Sequence, residues 1–331
     1  MKSRGSSTEG SSRTPQQEPA FVRTSDWTRR AFLRAGATTL GGLAAGCATP
    51  GGPAHGGGID AHAHVWSGPD ARYPFVPDVA AKPMNPAAFP PEILLAHGSQ
   101  NGLRRAVLVQ PACYGFDCRF IADSIERFPG RLAGVGLVDW RHEPREGLDR
   151  MAALGLRGVR IKALRAGHQR WPEDERMYAL WRRAADLGVA VCILPEPSAF
   201  DAISKLCTRH PQTIVVVDHI GWLGAHERPR DSQVDGFLRL AEHRNLYVKI
   251  SRLHHFDMAK PPYLEAVPLV RRVVGAFGPE RVMWGSDAPG QVRNGHSMAA
   301  SLDVIRRHAS FRPEEQDWLL GRTAERLFFS A

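Results

Sequence analysis

His62 and His64 stand two apart at the end of an apolar run that begins at Ile59. On a strand, side chains at i and i+2 project to one face, so the imidazoles should lie side by side while Ala61 and Ala63 point the other way. Neutral imidazole nitrogen suits Zn²⁺ and its neighbours. Two later segments end similarly: Val215-Val216-Val217 runs into Asp218-His219, and Val282-Met283-Trp284 runs through Gly285-Ser286 to Asp287. A carboxylate where a strand breaks into a loop can take a proton from an attacking water, with or without a metal. Alone, a histidine pair is as readily core packing, His219 a loop histidine and Asp287 a cap. Together, His62, His64, His219 and Asp287 point to a hydrolytic centre.

Groups this far apart in the chain meet only if the fold brings strand ends together. Apolar strand-like runs fall at 59–65, 106–110, 132–138, 158–162, 189–194, 214–218, 246–250 and 282–284, with amphipathic stretches between them such as 175–187 and 262–277. Strands alternating with helices imply right-handed βαβ crossovers and a parallel sheet. Eight such units predict an α/β fold, a TIM (β/α)8 barrel, whose chemistry sits at the C-terminal ends of the strands. An open, doubly wound sheet is the rival, disfavoured because no Gly-rich phosphate loop follows the first strand. The Gly/Pro-rich stretch 67–91 should cover part of the mouth. Residues 314–328, with Leu319, Leu320, Leu327 and Phe328, should form a closing helix.

The chain has 331 residues, 43% apolar and 23% charged, an ordinary soluble globular balance. Residues 1–46 carry 7 Lys/Arg against 3 Asp/Glu, so the formal charge of +9 falls to +5 beyond them. That excess suits an anionic small molecule or a membrane surface. Without a basic run, nucleic acid is not expected. Thr28-Arg29-Arg30-Ala31-Phe32-Leu33-Arg34, followed by a weakly apolar run too short to span a bilayer, resembles a twin-arginine export signal. Leu43-Ala44-Ala45-Gly46-Cys47 resembles a lipobox, with Ala44 where Leu or Val is usual. The expected organisation is an export signal over 1–47, a linker over 48–57 and a barrel over 58–331. The destination is the periplasm or, through a lipidated Cys47, the membrane; cleavage after Ala48 and release is the other reading. A signal of that kind implies a domain folded, and loaded with any metal, before export. No CxxC or zinc-ribbon spacing exists. Cys113 and Cys118 could bridge, though free thiols are expected, and Cys192 should pack.

The segments Asp60-Ala61-His62-Ala63-His64, Val107-Leu108-Val109-Gln110-Pro111, Gly158-Val159-Arg160, Val217-Asp218-His219-Ile220-Gly221, Val248-Lys249-Ile250-Ser251 and Arg281-Val282-Met283-Trp284-Gly285-Ser286-Asp287 are together similar to the amidohydrolase superfamily. They resemble in particular the amidohydrolase-2 group, which includes sugar-lactone and 2-pyrone-4,6-dicarboxylate lactone hydrolases. The resemblance implies a TIM barrel, hydrolysis at a carbonyl, and Asp287 as general base. It also exposes departures. Leu194-Pro195-Glu196-Pro197 stands where a strand-five histidine is usual, so Glu196 is either an oxygen ligand or part of a rigid turn. Lys162 would bridge two metals only if carboxylated, and is expected instead to contact substrate.

His62, His64, His219 and Asp287, with Glu196 as a further candidate, would hold one divalent metal, zinc before others; metal-independent action stays open. Arg160, Lys162, Arg165, Lys249, Ser251 and His254 are the candidate substrate contacts, since arginine grips planar carboxylates bidentately. The expected function is an exported lactonase acting on a carboxylated or sugar-acid lactone. A zinc-dependent decarboxylase and a non-catalytic ligand-binding envelope lipoprotein are the alternatives.

Overall fold

The computed structural model describes residues 57–68, 70–77, 84–164, 167–225, 227–258 and 260–330. The export motif, the lipobox with Cys47 and the linker up to residue 56 lie outside the described residues, as does Arg165. Among the described residues, no helix is long and apolar enough to cross a membrane.

Strands and helices alternate: β1 (Gly58–Ala63), α1 (Pro91–Gln100), β2 (Leu103–Val109), α2 (Arg119–Arg127), β3 (Leu132–Gly136), α3 (Pro144–Ala153), β4 (Gly158–Ala163), α4 (Glu175–Asp186), β5 (Ala190–Pro195), α5 (Phe200–Arg209), β6 (Val215–Val217), α6 (Asp231–Arg239), β7 (Leu246–Ile250), α7 (Val267–Phe277), β8 (Val282–Trp284) and α8 (Met298–Asp303). All eight strands are parallel and hydrogen-bonded in sequence order. The seam between β8 and β1 is drawn together by Asp287 N–H to His62 O (2.7 Å) and His64 N–H to Ala288 O (2.9 Å), beside a parallel bridge from Ala63 to Ala288. The sheet is a nearly closed α/β barrel, not an open doubly wound sheet.

Two apolar layers hold it. Ile59, Ala61, Val107, Val109, Ala133, Val135, Ala190, Cys192, Val216 and Met283 meet inside the barrel and are plugged by Phe328. The opposite strand faces pack on the helices, through residues such as Leu108, Val159, Ile161, Leu180 and Trp181.

Strict alternation along the first strand is not kept. Its register against β2 shifts between Asp60 and Ala63, and Ala61 joins the interior layer while Ala63 joins the outer one. An irregular strand bends and re-aims its side chains. The helix expected from residue 262 begins at Val267, after a 3-10 turn over Leu264–Ala266; Tyr263, at φ +62°, cannot continue a right-handed helix. The closing helix carries a π turn at Trp318–Arg322 that buries Leu319 and Leu320. The ends of the 67–91 excursion are anchored by paired Trp66 and Phe89 backbones and by Trp66 Nε1–H to Pro86 O at 3.0 Å. Residues 69 and 78–83 of that excursion lie outside the described residues. Cys113, Cys118, Cys192 and Cys207 are buried free thiols.

Candidate active site

His62 and His64 leave the end of β1, His219 follows β6 and Asp287 follows β8, so all four reach the C-terminal mouth of the barrel. His219 (φ +55°), Arg252 (+63°) and Asp287 (+60°) adopt left-handed backbone just past their strands. Such residues cost on the order of 1–3 kcal/mol each and persist where the surroundings hold them. The kinks turn the side chains back over the barrel. Gly285 permits the close approach, since a Cβ there would lie 2.7 Å from both the Cβ and the backbone nitrogen of His62.

Asp287 is the hub. Its Oδ1 lies 3.2 Å from His64 Nε2, 3.7 Å from His62 Nε2 and 4.0 Å from His219 Nε2, and its Oδ2 lies 3.8 Å from His254 Nε2. Several of these contacts reveal where the protons are. His64 Nδ1 is 2.7 Å from Val109 O; a carbonyl only accepts, so Nδ1 carries a hydrogen, and Nε2 faces the Asp287 carboxylate. Gln291 donates its amide to Tyr263 OH (2.8 Å) and Ser297 O (3.0 Å). Its Oε1 therefore faces His254 Nδ1 at 3.1 Å, and His254 Nε2 also faces Asp287.

Burial pushes the His62 pKa down to about 3 and that of His254 to about 4, and holds His219 well below the usual imidazole value. His62 and His254 are neutral near pH 7. Burial works against the Asp287 charge, yet His219 and His64 beside it hold the carboxyl well below its ordinary range. Nε2 of His62, His64, His219 and His254 all face this carboxylate, a grouping suited to holding a proton or a cation. Ligand atoms of His62, His219 and Asp287 lie within 4.8 Å of one another, and Nε2 of both histidines has no hydrogen-bond partner. Two nitrogens and a carboxylate oxygen fit a divalent ion such as Zn²⁺, with a position left for water. Glu196 is not brought into this group. It caps the end of β5, its N–H bonded to Ala163 O at 3.0 Å, and lines a separate cavity of about 700 Å³ with Asp201, Trp222, Arg230 and Arg239.

The expected substrate cations divide. Lys249 is fully buried and Arg160 nearly so. Lys249 Nζ lies 3.2 Å from Asp218 Oδ1, and Arg160 Nε lies 3.3 Å from Asp218 Oδ2. Both cations face the single Asp218 carboxylate beside His62, inside the barrel. Ser251 Oγ is 2.8 Å from His219 Nδ1 and orients that ring. Lys162 remains accessible, in a cavity of about 970 Å³ with Trp140, Arg141, Arg170 and Trp171. Arg252, half-buried, lays its guanidinium 4.2 Å above the Trp222 ring centre.

Sequence reasoning assigned no role to Asp218, Asp60 or Gln291. Asp60 accepts from Ser286 N–H (2.8 Å), Ser286 Oγ–H (2.5 Å) and His62 N–H (3.1 Å), and burial pushes its pKa up to about 6. Its signal was its place two residues before His62; that of Asp218 was its place beside His219.

A family model described as amidohydrolase (Amidohydro_2) matches residues 59–329. A 2-pyrone-4,6-dicarboxylate hydrolase of Comamonas testosteroni is 32% identical over 242 residues, covering 70% of this chain and 77% of its own length. An L-fucono-1,5-lactonase of Burkholderia ambifaria is 27% identical over 243 residues, covering 72% and 82%. The solved structure of an amidohydrolase from Burkholderia multivorans with bound zinc superposes with a TM-score of 0.66 at 24% identity, covering 82% of this chain and 98% of that one. The chain belongs to the amidohydrolase family.

Proposed function

We propose that the protein is a hydrolase that opens a carboxylated lactone, with Asp287 as the general base. The observation that carries this reading is the ionised Asp287 carboxylate at the barrel mouth, faced by Nε2 of His62, His64, His219 and His254. Asp287 takes a proton from water, the oxygen adds to the lactone carbonyl, and the ring C–O bond breaks as that proton passes to the departing ring oxygen. The product is a hydroxy acid that ionises at neutral pH. A divalent cation held by His62, His219 and Asp287, with His64 beside them, would supply Lewis acidity when bound. His64 and His254 flank the Asp287 carboxylate. Arg252 and Lys162 are the accessible cations for the substrate's acid group. The names of the two curated relatives, a pyrone dicarboxylate hydrolase and a sugar lactonase, support a cyclic ester as substrate, and the zinc in the structural neighbour supports that metal.

The test is proton release from pyrone carboxylates, aldonolactones and muconolactones, with Asp287→Asn alongside. Release of CO₂ without a new acid group would sink the lactonase reading in favour of decarboxylation. Tight ligand binding without product would sink it in favour of a binding protein.

Arg29-Arg30 and the run ending at Cys47 support export by the twin-arginine route and anchoring through a lipidated cysteine. Arg29→Lys with Arg30→Lys should hold the protein in the cytoplasm, and Cys47→Ala should release it from the membrane fraction. Export unchanged by the paired lysines would remove this assignment.

A further inference from the structure

We propose that the cavity at the end of β4 is a subsite of the active centre that takes a flat aromatic ring bearing an acid group, so that the substrate is a lactone joined to an arylcarboxylate. Val159, Ile161 and Ala163 pack outward on the helices, which leaves Arg160 and Lys162 on the inward face of β4. Arg160 is buried, and Lys162, one layer nearer the mouth, is the exposed member of the strand. In the sheet order β4 stands four strands from β8, so Lys162 lies across the mouth from Asp287. The other lining residues come from the loops after β3 and β4 and from the first turn of α4. The cavity therefore begins at the mouth and runs away from the base.

Trp140 and Trp171 meet edge to face there, with ring centres 6.1 Å apart and planes at 81°. Such a pair presents a π face beside a ring edge, and a flat aromatic ring can stack on the one and meet the other. The Arg141 guanidinium lies 4.6 Å from the Trp140 ring centre. Arg176 is matched by Asp174 at 2.9 Å, whereas Lys162, Arg141 and Arg170 form no ion pair among the described residues. Ammonium and guanidinium groups bind carboxylates, and arginine also stacks on rings. Glu173 and Glu175 belong to the lining as well, but both are exposed, where water and salt screen them. Cations beside indole rings select a ligand that is flat and acidic at once. The volume of about 970 Å³ stands at the upper end of the roughly 300–1,000 Å³ that holds a drug-sized ligand. A single six-membered lactone would leave most of it to water.

The lactone half of this inference rests on the function proposed above, while the ring-binding half is tested without turnover. The full chain, with ¹⁵N in its 8 tryptophan indoles, is titrated with 2-naphthoate, with acetate and with uncharged 2-naphthylmethanol. The Trp140 and Trp171 signals are assigned by their loss in Trp140→Phe and Trp171→Phe. 2-Naphthoate should shift both signals to saturation, bind about tenfold more tightly than either other compound, and compete with the lactone that is turned over. Lys162→Met should weaken 2-naphthoate about tenfold and leave 2-naphthylmethanol unchanged, whereas Trp140→Leu should weaken both. Indole signals unmoved by 2-naphthoate overturn the subsite whether or not the variants fold. So does acetate binding as tightly as 2-naphthoate, or Lys162→Met leaving 2-naphthoate affinity intact. Saturation without competition overturns its place in the active centre. Binding at these indoles by a protein that turns over no lactone keeps the ring subsite and overturns the lactone.

Discussion

The backbone N–H of Asp287 donates to the carbonyl oxygen of His62 at 2.7 Å, so base and imidazole are joined by main chain as well as by side-chain proximity. The bond lies at the barrel seam, where β8 meets β1. A rigid link there lets the strained φ of Asp287 persist and keeps its carboxylate over Nε2 of His62.

Removing the base should separate chemistry from binding. Asp287→Asn is nearly isosteric, and we expect kcat to fall by about 10²–10⁴-fold, the usual range for a positioned general base, with KM changed little. Steady-state proton release measures both. A raised KM with kcat intact would count against the assigned role.

Loading the site with metal should stabilise the fold. At free Zn²⁺ a thousandfold above Kd, linkage contributes about 4 kcal/mol, or on the order of 10 °C in Tm for a domain of this size. Chelated wild type should regain that shift when Zn²⁺ is returned, while His219→Ala should not. Calorimetry with and without Zn²⁺ distinguishes the cases.

Asp60 predicts a signed pH effect. Its pKa in the folded protein, about 6, lies above its ordinary value of 3.8. Its contribution to stability is therefore fully present below about pH 4 and is lost as pH rises through 6. Asp60→Asn loses acceptors for Ser286 and His62 at any pH, but it escapes the cost of ionisation. The destabilisation should be about 1–1.5 kcal/mol larger at pH 5 than at pH 8. Urea melts of both proteins at the two pH values test this, and a larger loss at pH 8 would reverse the sign.

Substrate charge should be read by the accessible cations. Arg252→Ala and Lys162→Ala should each raise KM for a carboxylated lactone by about tenfold or more while leaving kcat nearly unchanged. An uncharged lactone should show neither effect. Equal losses on both substrates would point to disturbed packing, for Arg252 through the lost contact with Trp222.

The eight strands were legible in the sequence because each is a short apolar run, and a buried parallel strand needs nothing more to declare itself. The same runs placed His62, His64, His219 and Asp287 at strand ends, and barrel geometry brings strand ends together whatever the intervening loops. Lys249 and Arg160 follow the inward rhythm of their strands, but only the assembled barrel shows that both face Asp218 there. Glu196 lines a cavity beside β5 and is not among the residues that come together with Asp287. Asp60 was invisible as a support because its partner Ser286 lies 226 residues away. Sequence alone determined which residue types stand at the mouth, because local periodicity sets strand ends. Tertiary structure alone decided which charges stay accessible and which are buried beside Asp218, because burial and pairing depend on closure of the sheet.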